Sequence, residues 1–88
     1  MSAYVIGNYN INDIETYMKY TKSVRDTLIK YEGKTLIADH EFIKKEGQPL
    51  QFIVAVELKS IEDAEKWYNS EDYRKIINSR KESTTGWV

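Results

Sequence analysis

Between Leu50 and Leu58 the chain reads Leu-Gln-Phe-Ile-Val-Ala-Val-Glu-Leu, and no other segment restricts its fold as tightly. Alternate residues of an extended strand point to opposite faces. Phe52, Val54, Val56 and Leu58 therefore line one side, and Ile53 and Ala55 line the other. A strand that is apolar on both faces at its centre belongs in a sheet covered on both sides. The rest of the 88 residues supplies two helical regions, and both are needed to cover one face. The second face is left for a partner, so a homodimer paired through the sheet face is expected.

The elements around this strand follow from the pattern. Residues Ala3 to Tyr9 hold Tyr4, Val5 and Ile6 in a run of strand formers closed by asparagines. Asn12 reads as a helix N-cap, with Glu15 three positions later. Ile14, Tyr17, Met18, Thr21, Val24, Leu28 and Tyr31 recur at helical spacing, and Gly33 ends the helix where a left-handed residue is needed. Glu15 with Lys19 and Asp26 with Lys30 are four-residue ion pairs in the favourable order. Lys34 to Lys44 reads as a second strand, turned by Glu46-Gly47-Gln48-Pro49 into the strand at Leu50 to Leu58.

Two helix starts then lie within fourteen residues. Ser60, with Asp63 three positions on, begins one helix, and Ser70, followed by Glu71 and Asp72, begins another. Ile61, Ala64, Trp67 and Tyr68 form the inner face of the first piece, and Tyr73, Ile76, Ile77 and Arg80 continue it in the second. Ser83 to Val88 makes a short final strand. The order strand, helix, strand, strand, helix, strand is the split β-α-β pattern of ferredoxin-like domains. The fold class is α+β, with a four-stranded antiparallel sheet and both helical regions on one face, and residues 1–88 form one domain.

Composition sets limits on function. A domain of this length buries only roughly 60 to 65% of its unfolded surface, which adds to the case for oligomerisation. Thirteen basic and fourteen acidic residues give a net charge of −1, which offers no electrostatic reason for nucleic acid or an anionic membrane as partner. RNA binding through the sheet would need more than the one aromatic, Phe52, among Phe52, Val54 and Val56. With no cysteine there is no disulfide, no thiolate chemistry and no cysteine-based zinc site. No apolar run approaches the ~18 residues of a membrane span, and the N-terminus carries no basic segment followed by an apolar one, so a cytoplasmic protein is expected.

The segment Trp67-Tyr68-Asn69-Ser70-Glu71-Asp72-Tyr73, with Arg80 downstream and Glu46-Gly47 at the hairpin, resembles the domain-of-unknown-function 1330 family over essentially the whole chain. The resemblance implies membership of the dimeric α/β-barrel superfamily, in which two ferredoxin-like sheets pack face to face. Asp39-His40 stands where the family tends to have a small glycine pair, and the last strand is shorter than is usual there. The family brings no catalytic set with it.

The candidate site residues are few. His40, the only histidine, reads as mid-strand between Asp39 and Glu41 and is the one candidate general base. Strand neighbours point to opposite faces, so neither carboxylate orients it easily, and the competing reading is a half-buried, hydrogen-bonded histidine. A metal site would have to be built from Asp39, Glu41 and Glu57, and none is expected. Trp67, Tyr68 and Tyr73 are candidates for lining an apolar pocket between helices and sheet, with Arg80 anchoring a carboxylate or enolate. The competing reading makes these aromatics core and has Arg80 pair with a carboxylate or cap a carbonyl. No cofactor is indicated: the superfamily's monooxygenases often use none, and His40 would be the only axial ligand for a haem. The chain thus reads as a small dimeric α/β-barrel protein that binds or acts on a small apolar or aromatic metabolite. The alternative is a non-catalytic homodimerisation or regulatory module with no ligand.

Overall fold

A computed structural model describes all of residues 1–88. The chain runs β1 (Ala3–Ile11), α1 (Ile14–Lys30), β2 (Lys34–Asp39), β3 (Phe52–Leu58), α2 (Ile61–Tyr68), α3 (Glu71–Ser83) and β4 (Thr84–Trp87). The strands form one antiparallel sheet in the order β2-β3-β1-β4, the ferredoxin-like arrangement expected from the sequence, with its second helical region in two pieces. The molecule is only 16 Å thick along its shortest axis, the depth of one sheet and one layer of helices.

The strand that is apolar on both sides lies at the centre of the sheet, between β1 and β2. Val56 and Leu58 are buried against the helices, joined there by the partly buried Phe52 and Val54, so the face weighed for RNA is the one the helices cover. The outer face carries Ile53, Ala55, Ile6 and Ile37, with Tyr4 and the 57% exposed Trp87 at its margins, and nothing in the single chain covers it.

Several local expectations change. The N-cap of α1 is Asp13, not Asn12: the Asp13 carboxylate accepts both the Thr16 backbone N–H at 3.2 Å and its hydroxyl at 2.8 Å. Asn12 instead ties β1 to the end of α3. Its backbone N–H donates to the Ser83 carbonyl at 2.7 Å and its side-chain amide to Thr85 Oγ1 at 2.6 Å. The left-handed residue after α1 is Glu32, with φ 57°, rather than Gly33. Glu32 N–H bonds the Ile29 carbonyl and Gly33 N–H that of Leu28, a Schellman closure. Gly33 serves close approach, since a Cβ there would lie 2.9 Å from Leu28 Cδ2 and 3.0 Å from Leu58 Cδ1.

The buried stripe of α1 is also rotated. Tyr17, Tyr20, Thr27 and Leu28 are buried, whereas Ile14 and Met18 stay exposed. Neither predicted ion pair along α1 forms. Lys30 reaches across to Asp72 in the first turn of α3 at 3.1 Å, where the carboxylate also meets that helix's positive end. Ser60 and Ser70 cap α2 and α3 as expected, accepting the backbone N–H of Asp63 at 3.1 Å and of Tyr73 at 3.2 Å. Ile61, placed on the inner face, is exposed at the first residue of α2.

The predicted β2–β3 hairpin is looser than its sequence suggests. β2 stops at Asp39, and residues 40–51 form an irregular connection. The Asp39 carboxylate takes the Glu41 N–H at 2.9 Å, a local turn that competes with the ladder. Side chains of β1 then hold the entry to β3: Asn8 accepts the Leu50 N–H at 3.0 Å and donates to the Phe52 carbonyl at 2.9 Å, and Asn10 accepts the Gln51 N–H at 2.8 Å.

Candidate functional site

The aromatic residues of β1, α1, β3, α2 and α3 converge between the helices and the sheet. They surround a cavity of about 250 Å³ rather than closing on it. A cavity of about 150 Å³ already takes a single benzene ring, so this pocket, open at its exposed Arg25, Thr35 and Ala38 edge, has room for one. Its floor comes from alternate residues of β1 and β3, Val5, Gly7, Tyr9, Phe52, Val54 and Val56, which the two-residue strand period places on one face. Its roof comes from Tyr17, Tyr20, Val24 and Leu28 of α1, three or four residues apart. Trp67, Tyr73 and Arg80 close one side.

The polar tips of the wall are tied together. Tyr9 and Tyr17 share a hydrogen bond between their hydroxyls at 2.6 Å, and Tyr20 and Tyr73 share another at 2.9 Å. The Trp67 indole N–H donates to Thr27 Oγ1 at 2.9 Å, and that hydroxyl donates to the Val24 carbonyl at 2.7 Å. Trp67 and Tyr73 lie ring against ring at 4.3 Å, and Tyr9 stacks on Phe52 at 5.7 Å. Burial raises the ionisation of Tyr9, Tyr17 and Tyr20 above the ordinary tyrosine value, so all three stay protonated.

Arg80 is 7% exposed and is the one buried charge among these residues. Its Nε–H donates to Tyr73 Oη at 3.4 Å. It neither pairs with a carboxylate nor caps a carbonyl, the two structural roles weighed from the sequence.

Of the sequence candidates, Trp67, Tyr73 and Arg80 lie together on the cavity wall. Tyr68 does not reach it. It faces a separate groove with Ile61, Ala64 and the N-terminal half of β1, under the Arg74 guanidinium at 4.7 Å. His40 is not mid-strand but the first residue beyond β2, its side chain 73% exposed and 4.0 Å from Glu41 Oε1. It rims an open groove that shares Tyr17, Thr21 and Phe52 with the cavity. Sequence reasoning missed Tyr9, Tyr20 and Thr27. Tyr9 was visible as the strand residue in phase with Val5 and Gly7. Tyr20 and Thr27 fall on the true stripe of α1 but are polar enough to look exposed. No three carboxylates or histidines lie close enough to hold a metal, and Glu57 instead accepts a hydrogen bond from Tyr4 at 3.3 Å.

Sheet order, helix placement and the cavity beneath the helices define a ferredoxin-like α+β domain with an aromatic-walled interior site. More narrowly, the chain belongs to the family described as Domain of unknown function (DUF1330), whose family model matches residues 2–88. Among solved structures it is similar to the RPA0582 protein of unknown function from Rhodopseudomonas palustris, a structural genomics target. That match has TM-score 0.74 and 11% identity, over 94% of this chain and 73% of that one. The methylated RPA0582 protein superposes with TM-score 0.79, at the same identity and coverage. At 11% identity these likenesses concern the fold alone. No curated protein matches the chain in sequence. No helix of the molecule is long and apolar enough to cross a membrane.

Proposed function

We propose that the cavity under α1 and α3 binds a small molecule built around one apolar or aromatic ring, and that the chain works as a homodimer paired through the outer face of its sheet. The observation that carries the first part is the open volume itself. About 250 Å³ stays open beside the aromatic core, walled by side chains whose hydroxyl and indole groups are already held in place. Collapse would have to break those bonds, so the pocket is preorganised.

Binding is favoured over proton-transfer catalysis. The lining side chains include no carboxylate, histidine, lysine or cysteine, and burial holds Tyr9, Tyr17 and Tyr20 protonated, so these three offer no general base near neutral pH. The second part rests on the outer face, where Ile6, Ile37, Ile53 and Ala55 form an apolar surface across three strands.

A thermal-shift series with single-ring compounds, both neutral and carboxylate-bearing, tests the pocket. A ligand at a hundred times its dissociation constant adds about 2.7 kcal/mol of stability, a readily measured rise in Tm. Val54→Phe, which puts a ring into the cavity, should remove the rise. A series in which no compound moves the wild-type Tm would instead support a module without a ligand.

A further inference from the structure

We infer that the molecule this pocket takes is a monocarboxylate, with its carboxylate seated on the Arg80 guanidinium and its ring against Phe52 and Val54. The inference rests on the pocket reading and adds the ligand's charge class. It starts from the polar groups the protein leaves unused.

The terminal nitrogens of Arg80 have no partner in the protein, yet they are not sealed off, since no polar side-chain atom lacking a partner is fully buried. Arg80 lines the cavity, the open space beside this otherwise buried residue. Each hydroxyl pair uses one hydrogen and leaves the other free, whichever tyrosine donates. The surplus around the cavity thus includes a guanidinium fork, which can only donate, and two hydroxyl hydrogens free to donate beside it. No acidic side chain is present among the lining residues to satisfy them, and the second cation, Arg25, lies exposed at the rim.

A wall rich in donors and bearing one buried positive charge is complementary to an acceptor-rich monoanion. The planar fork of Arg80 matches the two oxygens of a carboxylate, and the volume of about 250 Å³ leaves space for one ring behind it. A phosphate would bring a second negative charge that no buried cation meets.

The test compares benzoate with benzamide, which has the same shape without the charge, by fluorescence titration of a Trp87→Phe protein in which Trp67 is the remaining tryptophan. Benzoate should bind at least about tenfold more tightly than benzamide, and Arg80→Met should bring the two to equal affinity while benzamide binding persists. Arg25→Gln should leave the ratio nearly unchanged. Equal binding of both compounds to the Trp87→Phe protein overturns the inference and leaves the pocket reading standing, with no need for the arginine variants to fold. Binding of neither compound overturns the pocket reading itself. Phenyl phosphate binding more tightly than benzoate, or a ratio that depends on Arg25 instead of Arg80, also overturns the inference.

Discussion

Replacing Arg80 with methionine should make the unliganded protein more stable. A buried ion carries an effective desolvation penalty of several kcal/mol, which close ionic or hydrogen-bonded partners ordinarily offset. Arg80 is 7% exposed, has no carboxylate partner and makes one hydrogen bond, to Tyr73 at the long distance of 3.4 Å. That bond is worth at most about 1 kcal/mol at such a length. The guanidinium also lies near the C-terminal end of α3, where a positive charge gains about 0.3–1 kcal/mol from the helix dipole. Methionine keeps the apolar stem and has nearly the same helix propensity. Tyr73 is not orphaned by the change, because its hydroxyl remains bonded to Tyr20 at 2.9 Å. The balance favours the variant by about 1–3 kcal/mol. At about 4–8 °C per kcal/mol for a domain of this size, Tm should rise by roughly 4–24 °C. Thermal melts by circular dichroism near neutral pH, with urea titrations to confirm an unchanged slope, measure it. A fall in Tm of about 4 °C or more would mean that the guanidinium is satisfied by the protein, and the case for a charge held ready for a ligand would fail with it.

Three further outcomes are expected. Gly86→Ala should destabilise by at least about 1–3 kcal/mol, read as a lowered urea midpoint, because the added Cβ would lie 2.6 Å from Tyr9 Cα and closer still to the Asn8 carbonyl. Ile37→Glu on the bare sheet face should convert a dimer of twice 10.4 kDa into a monomer in light scattering at micromolar concentration, and a wild type that is already monomeric would sink the pairing. Tyr9, Tyr17 and Tyr20 ionise above the ordinary value only in the folded state, so their contribution is fully present below the unfolded value near pH 10 and is lost as pH rises beyond it. Each should cost about 1.4 kcal/mol per pH unit there, and Tyr20→Phe should flatten the alkaline fall in Tm relative to wild type.

How much was legible depended on whether the physics was local. The Ser60 and Ser70 caps were readable because a capping hydroxyl reaches only three residues along the chain. The central place of β3 was readable because a strand period of two displays both of its faces at once. Errors fell where distant partners competed for the same groups. Lys30 left its predicted partner on α1 for Asp72, and Asp39 spent its carboxylate on ending β2, which took His40 out of the strand. The stripe of α1 was misjudged because Tyr20 and Thr27 are polar in composition, and only Tyr73 and Trp67, brought in from α3 and α2, give their hydroxyls a place inside.

By itself, then, the sequence determined the order of elements, the two-layer ferredoxin-like fold and a sheet with an apolar face left bare, since these follow from period, caps and the count of helices. The cavity, the donor-rich wall and the unpaired Arg80 were decided by tertiary structure alone. Whether a tyrosine is packing or a hydrogen-bonding wall, and whether an arginine has a counter-ion, depends on which groups meet across gaps of up to about fifty residues, and no local pattern encodes that.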